Sequence, residues 1–314
     1  MSIDRSDGVA AGVLRADVAR AVVSGAVVSG AVVSGADVAR ADVVAVLGAG
    51  VMGETLLSGL LRAGRPPSGL RITERREART QELRERHGVD VVDNPTAVRA
   101  AGTVVLVVKP QDVPALVAEI AQHLAPGTLV VSLAAGVTTA AIERGLAEAG
   151  APDAVAVVRV MPNTPALVDA GMSALSPGSH CDAEHLDAAE ALLASVGTVV
   201  RVPEHQMDAV TAVSGSGPAY VFYVVEAMVE AGVLLGLSRE VATTLAAQTV
   251  LGAGKMVVET GQHPSVLREQ VCSPAGTTIA AIRVLDDHRV RAAFVTAIEA
   301  ARDRSAELGR LAGS

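Results

Sequence analysis

The stretch that decides the fold is VVAVLGAGVMGETLLSGLLRAG, which covers residues 43–64. Its first part is a short apolar run that predicts a strand over Val43–Leu47. The glycine-rich turn Gly48-Ala49-Gly50-Val51-Met52-Gly53 follows, and leucines at helical spacing then lead to Gly64. A strand, a GxGxxG turn and a helix in this order are typical of a dinucleotide-binding fold.

Each glycine of that turn has its own physical task. Gly48 permits the tight turn after the strand, and Gly50 lets the backbone approach the pyrophosphate of the nucleotide. Gly53 lets the helix pack closely on the strand. Because the helix N-terminus then faces the phosphates, we predict that this turn binds a dinucleotide.

Strands and helices alternate downstream of this unit. Such alternation predicts a doubly wound parallel sheet, whose ligands lie at the carboxyl ends of the strands. The predicted strands are Leu70–Thr73, Thr103–Val108, Thr128–Leu133, Ala154–Val160 and Thr198–Val202, with helices over Thr80–Arg86 and Asp112–Leu124. Three segments fall at strand ends, namely Lys109-Pro110-Gln111, Ala134-Ala135-Gly136 and Met161-Pro162-Asn163-Thr164-Pro165.

The end of the second strand carries the residues that would select the cofactor. Glu74 stands 21 residues after Gly53, where an acid would accept the ribose hydroxyls of NAD. Arg75 and Arg76 follow, and they could clamp the 2′-phosphate of NADP. We therefore predict that NADPH is preferred and NADH is possible, with Glu74 as the argument against that preference.

After residue 202 the pattern becomes helical. A long apolar stretch over Asp208–Gly236 is interrupted by SGSGP, and its apolar residues run almost all round the helix. Ser238 is placed to cap the next helix, which ends near Gly261, and Pro264 begins a short one. Such a wraparound apolar helix predicts that a partner chain covers part of this helical domain.

The stretch VCSPAGTTIAAI, residues 271–282, contains another helix start. Pro274-Ala275-Gly276 leads into Thr277 and Thr278, and an apolar helical pattern follows. Helix starts leave several backbone N–H groups unpaired and carry a positive partial charge. We predict that an anion binds here, although the threonines could instead serve only to cap the helix.

Composition excludes several classes of function. The chain has 314 residues, 50% of them hydrophobic, and a net charge of −8 with only 1% aromatic residues. Nucleic-acid binding needs basic patches and stacking platforms, so we expect no nucleic-acid partner. The two cysteines form neither a disulfide framework nor a metal motif, which favours a cytoplasmic protein without a metal site.

Residues 1–42 do not fit the pattern of either domain. AVVSG occurs three times in tandem over 21–35, a five-residue period that suits neither a helix nor a strand. A membrane span needs roughly 20 apolar residues, more than the uncharged stretch supplies, and a signal peptide would not mix acids and bases before it. We predict a disordered, low-complexity extension outside the packed core, and no membrane attachment.

Taken together, these motifs resemble the pyrroline-5-carboxylate reductase family. The resemblance covers about residues 43–308 and includes LGAGVMGETLLSGLLRAG, VVKPQ, SLAAGV, RVMPNTPALV, DAVTAVSGSGPAYVF and SPAGTTIAAI. It implies a Rossmann-like doubly wound sheet over 43–202, followed by a smaller all-α substrate-binding and dimerisation domain over 203–314. It also implies reduction of 1-pyrroline-5-carboxylate to L-proline, the last step of proline biosynthesis, by a homodimer or higher homo-oligomer.

The resemblance carries over site residues as well. It places the substrate carboxylate on the loop Ser273–Thr278, with the Thr278 hydroxyl near the ring nitrogen and Glu204 reaching the same nitrogen through water. Thr278 and Glu204 are thus the predicted catalytic residues, and Ser273, Gly276 and Thr277 complete the predicted substrate site. The predicted cofactor contacts are Gly48, Ala49, Gly50, Val51, Met52, Gly53, Arg75, Arg76, Asn94, Val108, Lys109, Pro110, Ala135 and Gln270.

Three points remain open at this stage. The loop reads SPAGTT where the family usually reads SPGGTT, which matters only if Ala275 must adopt a positive φ. Another GxGxMG dehydrogenase, of the β-hydroxyacid type, would need a lysine in the helix with SGSGP, but the only lysines are Lys109 and Lys255. A non-catalytic nucleotide sensor would have no need of a carboxylate site.

Overall fold

The structure is a computed structural model and describes residues 42–313. The predicted extension over residues 1–42 therefore lies outside the described residues, apart from Asp42. The described residues all fall in one compact unit, so the predicted domain boundary at residue 202 stays a prediction. We call residues 42–203 the sheet region and residues 204–313 the helical region.

The sheet region is built on one eight-stranded sheet in the order β3-β2-β1-β4-β5-β6-β7-β8. The strands from β3 to β6 are mutually parallel, and the order in which they are added reverses at β1, which pairs with β2 on one side and with β4 on the other. The strands are β1 Val44–Leu47, β2 Leu70–Thr73, β3 Asp90–Val91, β4 Thr103–Leu106, β5 Leu129–Ser132, β6 Ala156–Met161, β7 Gly171–Pro177 and β8 Gly197–Arg201.

The predicted doubly wound parallel sheet is confirmed, and one edge of it departs from the parallel arrangement. β7 runs antiparallel to β6, and β8 pairs parallel to β7, so both run against the rest of the sheet. β7 escaped prediction because it begins at Gly171 and carries Ser173 and Ser176, which break the apolar run. β3 escaped it because a two-residue strand has no periodicity to detect.

Helices cover both faces of the sheet, as the doubly wound prediction requires. The side chains of each strand alternate between the two faces, so Val46 packs with α1, α2 and α6, while Leu47 packs with α3, α4 and α5. These helices are α1 Val51–Arg62, α2 Glu77–His87, α3 Asn94–Arg99, α4 Val113–Ile120, α5 Thr139–Glu148 and α6 Ala183–Leu193. Each strand of the centre is buried on both sides, which accounts for its nearly continuous apolar sequence.

The helical region contains six helices of very unequal length. They are α7 Met207–Val210, α8 Gly217–Leu234, α9 Arg239–Thr260, α10 Pro264–Val271, α11 Thr277–Asp287 and α12 Val290–Gly313. A π-helical turn over Thr211–Gly215 joins α7 to α8 at the predicted SGSGP interruption. The Ser238 side chain accepts from the Val241 N–H, which confirms the predicted cap, and Gly261 ends α9 in the left-handed region.

The long helices bury little of their apolar surface within one chain. Val229 is the only buried residue of α8, and Ala242 and Ala246 are the only ones of α9. Glu204–Leu234 and Arg239–Thr260 are also long and apolar enough to cross a membrane, judged by length and composition alone. The apolar surface of the helical region therefore needs cover that a single chain does not supply.

Candidate active site

The glycine-rich turn lies where β1 meets β4, at the point where the strand order reverses. Gly48 has φ +109°, and a Cβ there would lie 2.6 Å from the Val107 carbonyl oxygen. A Cβ on Gly53 would overlap the Gly48 carbonyl. Around Gly50, in contrast, a Cβ would meet nothing within 4 Å. Two glycines thus close the turn sterically, while the third leaves room for a ligand.

The backbone N–H groups in the first turn of α1 are available as hydrogen-bond donors beside the open space at Gly50. Gly50 is the N-cap residue, and no side chain bonds to the N–H groups that follow it. Val51 is exposed and Met52 is partly buried beside the sheet core, whereas Ala49 is buried. The Gly48 N–H donates to the Thr73 hydroxyl at 3.2 Å, which ties the turn to the end of β2.

Other predicted cofactor residues gather along the same edge of the sheet. Val108, Lys109 and Pro110 follow β4, and Ala135 follows β5 as an exposed residue. Asn94 opens α3, and its side chain donates to Glu119 at 3.0 Å. Because the carboxyl ends of parallel strands meet at one edge, the structure brings these positions to one side of the glycine turn.

At the end of β2, Glu74 is engaged with Arg76. The Arg76 guanidinium donates to both carboxylate oxygens at 3.1 and 2.9 Å, and the Arg76 backbone N–H donates to the first oxygen at 2.9 Å. The side-chain hydrogen bond from Arg76 lowers the pKa of Glu74 to about 2. Arg75 is exposed and free of any ion pair within the described part of the chain.

The predicted anion-binding loop has a conformation suited to that task. Ala275 adopts φ +54°, so this position does use the left-handed region that glycine prefers. A Cβ on Gly276 would overlap the Ser273 hydroxyl, so a side chain at this position would force Ser273 into another rotamer. Gly276 is the N-cap of α11 and no side chain caps the helix, which leaves the N–H groups of Thr277 and Thr278 available. The condition under which alanine at position 275 would matter, a positive φ, is therefore met.

Glu204 is held away from this loop within one chain. Its carboxylate accepts from the Thr139 backbone N–H and hydroxyl, both at 2.8 Å, and from Arg159 at 3.4 Å. Thr139 begins α5, so the carboxylate sits where a helix N-terminus favours negative charge. Arg159 lies on β6 and is buried. Among the described residues, no hydrogen bond joins Glu204 to the loop Ser273–Thr278.

Gln270 also forms its side-chain hydrogen bond away from the glycine turn. Its side chain donates to Gln262 at 3.0 Å, within the helical region itself. Among the described residues, no hydrogen bond joins the Gln270 side chain to the sheet region, so its predicted contact with the cofactor stays a prediction.

One side chain that sequence reasoning located but gave no role joins the two regions. Asn163 follows β6; its amide N–H donates to the Ser214 carbonyl at 3.1 Å, and its oxygen accepts from the Met172 N–H at 2.8 Å. The π-helical turn is thus fastened to the sheet. An open cleft of about 570 Å³ lies beside it, lined by residues including Asn163, Pro165, Ser214, Pro218, Tyr220 and Phe294.

Two other residues at this junction were missed. Thr139 and Arg159 position Glu204, and both are buried polar residues. An arginine inside the apolar run of β6 was a usable signal, because charged residues are rarely buried without a partner. Within residues 42–313, no group of three or more His, Cys, Asp or Glu side chains could hold a metal ion.

Two family models match this chain. Residues 204–308 match the one described as pyrroline-5-carboxylate reductase dimerisation. Residues 43–136 match the one described as NADP oxidoreductase, coenzyme F420-dependent. The first match falls on the helical region, and the second covers the sheet region from β1 to just past β5.

Curated relatives and solved structures agree with these matches. A pyrroline-5-carboxylate reductase from Corynebacterium melassecola is 49% identical over 81% of this chain and 94% of its own length. The structure of the Coxiella burnetii pyrroline-5-carboxylate reductase covers 86% of this chain and 98% of its own, with 39% identity and a TM-score of 0.80. The Plasmodium falciparum pyrroline carboxylate reductase, solved with NADP bound, covers 86% of this chain and 99% of its own, with 27% identity and a TM-score of 0.74.

Proposed function

Since the chain belongs to the pyrroline-5-carboxylate reductase family, we propose that it reduces 1-pyrroline-5-carboxylate to L-proline with NAD(P)H. This is the last step of proline biosynthesis. The observation that carries the proposal is 49% identity to a reductase over 94% of that protein's length. The glycine turn and the loop before α11 would supply the two binding sites that such a reaction needs.

The residues of the glycine turn fit a dinucleotide. Gly48 and Gly53 cannot carry a side chain without overlap, and the space at Gly50 is open. The free N–H groups of the first turn of α1 would hold the pyrophosphate, and Lys109 and Ala135 lie along the same edge. When bound, the nicotinamide supplies the hydride that the C=N carbon accepts.

The loop Ser273–Thr278 would hold the substrate carboxylate. The uncapped N–H groups of Thr277 and Thr278 and the dipole of α11 favour an anion at this place. A carboxylate bound there would fix the orientation of the ring. The reacting C=N carbon would then be aligned with the nicotinamide. The Thr278 hydroxyl would then hydrogen bond to the ring nitrogen, whose charge changes during the reaction.

Glu204 is proposed to act as a fixed negative charge. Its oxygens already accept from Thr139 and Arg159, so it would influence the iminium nitrogen through water and not by direct proton transfer. A fixed carboxylate favours the protonated C=N, which is the better hydride acceptor. Replacing Glu204 with Gln should therefore lower kcat and leave the KM for NADPH unchanged.

A second copy of the chain is proposed to cover the apolar helices. The dimerisation model matches the helical region, and α8, α9 and α11 expose large apolar side chains within one chain. Burial of such surface is the main force behind obligate dimers. The same pairing would also explain why two helices are long and apolar enough to cross a membrane, because a partner chain would bury their apolar surface.

We further propose that NADPH is preferred, that NADH is also used, and that the protein works in the cytoplasm. Arg75 and Arg76 lie where a 2′-phosphate would sit, and both cysteines are free thiols, as a reducing compartment requires. Changing both arginines to Ser should raise the KM for NADPH by about ten- to a hundredfold. The KM for NADH should change far less, and an equal change would make them ordinary surface charges.

The direct test is turnover of 1-pyrroline-5-carboxylate with NADPH, followed at the nicotinamide absorbance. The purified chain should oxidise NADPH only when the imine is present, and proline should appear in equal amount. Oxidation with a β-hydroxyacid and NADP instead would favour the other class of GxGxMG dehydrogenase. Binding of NADPH without turnover of either substrate would favour a nucleotide sensor.

A further inference from the structure

Glu74 has a largely buried side chain, and both of its carboxylate oxygens accept hydrogen bonds. Its side chain is 8% exposed, although it stands at an open sheet edge. One oxygen accepts from the Arg76 backbone N–H and from Nε, and the other accepts from the end of the same guanidinium at 2.9 Å. All three donors belong to Arg76.

This arrangement conflicts with the usual role of an acid at the end of β2. An acid that recognises NAD presents free oxygens to the ribose hydroxyls. To present both oxygens to the ribose, Glu74 would have to give up a bidentate, charge-assisted pair with Arg76, a strong kind of hydrogen-bonded pair. It would also have to turn outward from its buried position.

Arg76, by contrast, keeps donors to spare. A guanidinium has five N–H groups, and Glu74 accepts from Nε and from one terminal nitrogen. The Arg76 side chain is 70% exposed, so its remaining N–H groups face solvent. Arg76 is also the N-cap residue of α2, an 11-residue helix whose positive end lies at this position.

From this geometry we propose that Glu74 is a positioning residue that holds Arg76 ready for a 2′-phosphate, and so favours NADPH over NADH. The proposal rests on the proposed function, since it concerns how the NAD(P)H site selects its cofactor. A free arginine side chain has many rotamers, and ordering it opposes binding. Glu74 fixes that side chain before the phosphate arrives.

Simple electrostatics predicts the opposite change in NADPH affinity when the charge of Glu74 is removed, so the direction of that change tests the proposal. Removing a negative charge near a phosphate should improve binding of that phosphate. If Glu74 acts through Arg76, removing its charge should weaken binding of NADPH instead. Glu77, an exposed acid in the first turn of α2 with no ion pair among residues 42–313, provides the matched control.

The first experiment compares Glu74→Gln with Glu77→Gln in steady-state kinetics with both cofactors. We expect E74Q to raise the KM for NADPH by roughly three- to tenfold and to leave the KM for NADH unchanged or lower. E77Q should leave NADPH unchanged or improve it slightly. A raised KM for NADH in E74Q, or improved or unchanged use of NADPH, would overturn the proposal. Melting temperatures of the variants show whether the fold is intact.

A second experiment tests coupling through Arg76 and needs no turnover. Binding of 2′,5′-ADP, which carries the phosphate but no nicotinamide, is measured calorimetrically for E74Q, Arg76→Ser and the double variant. E74Q should weaken binding in the wild-type background and have no further effect beside R76S. Additive losses would mean that Glu74 acts independently of Arg76, and the proposal would fail. Because this assay is independent of the imine, a failure of the proposed reaction would leave its result intact.

Discussion

The sheet region and the helical region solve the burial problem in different ways. In the sheet region, β1 and β5 are buried along their whole length and helices cover both faces. In the helical region, α11 buries no residue at all, and Leu251, Val258 and Leu234 are 63%, 82% and 88% exposed. The comparison teaches that one chain buries the apolar surface of the sheet region but leaves much of that of the helical region exposed.

The strongest way to break this comparison is to prevent pairing of the helical regions. Leu251→Arg places a charge in the middle of the apolar face of α9, where a partner would bury it. Interface residues of this kind contribute about 2 kcal/mol or more, and a symmetric dimer loses the contribution twice. We expect a monomer by sedimentation and a loss of activity of at least about a hundredfold.

The control for that substitution comes from the sheet region. Val200 on the edge strand β8 is also exposed, at 39%. Val200→Arg should keep the oligomer and most of the activity, because no partner is expected on that surface. If the L251R monomer retained full activity, the helical region would be complete in a single chain and the contrast between the regions would be lost.

The second prediction separates chemistry from capping in the loop before α11. Thr278→Ala removes a hydroxyl proposed to contact the ring nitrogen, so kcat should fall by about ten- to a hundredfold, as for one lost hydrogen bond to a charged group. Thr277→Ala keeps its backbone N–H and should change kcat only a few-fold. Both variants should bind NADPH as the wild type does, because the glycine turn belongs to the sheet region.

The outcome would be read from kcat, KM and melting temperature together. If T277A proved the more damaging variant, or if both chiefly lowered the melting temperature, the threonines would serve the helix and not the substrate. The carboxylate would then bind elsewhere than at α11.

The third prediction concerns folding stability at low pH, which should depend more on the sheet region than on the helical region. Partial burial of Glu54 on α1 raises its pKa, but hydrogen bonds from His87, Arg79 and Arg86 on α2 outweigh this effect and hold the pKa below 4.5. A group with a lowered folded-state pKa adds stability above its unfolded pKa and loses it as the pH falls through the folded value. Wild-type stability should therefore drop below about pH 4.5.

Glu54→Gln tests that reasoning. The variant should be less stable than the wild type at pH 7 by roughly 1–3 kcal/mol, and the gap should close as the pH falls below 4.5. Glu259→Gln, which removes an exposed pair with Lys255 in the helical region, should change little at any pH. A gap between wild type and E54Q that is the same at pH 7 and pH 3, measured by denaturant unfolding, would contradict this account.

The smallest effect is expected from relief of backbone strain. Ala275 in the helical region and Ala154 in the sheet region both have positive φ, at +54° and +59°. Glycine avoids the left-handed penalty but loses more chain entropy on folding, so Ala275→Gly and Ala154→Gly should each add less than about 1 kcal/mol. Only A275G should alter the KM for 1-pyrroline-5-carboxylate. Equal KM changes in both variants would remove the loop from the substrate site.

Local sequence patterns were enough to predict the centre of the sheet and the glycine turn. Strand–turn–helix order depends on residues within about 20 positions of one another, as in residues 43–64, and the structure confirms it. The strand β7 was missed because its pairing with β6, and not an apolar pattern, makes it a strand. Its direction follows from the chain reversal between Met161 and Gly171, which no periodicity reports.

The candidate site was only partly predictable for a related reason. The glycine, arginine and threonine positions lie in short motifs, so they could be named from the sequence. The contacts of Glu204 reach Thr139, 65 positions away, and Arg159 on β6, and such pairs arise only when the chain has folded. The positive φ of Ala275 could be raised only as a question, by comparison with the family's SPGGTT, because alanine itself gives no sign of a left-handed position.

The exposed helices also have a consequence for how the protein is made. During synthesis the sheet region emerges first, and it can close its own core while the remainder is still being translated. The helical region follows the sheet region and stays uncovered until it meets another chain, a step whose rate depends on chain concentration. Newly made chains are therefore most prone to aggregate in the interval between release and pairing, and slow or sparse expression lengthens that interval.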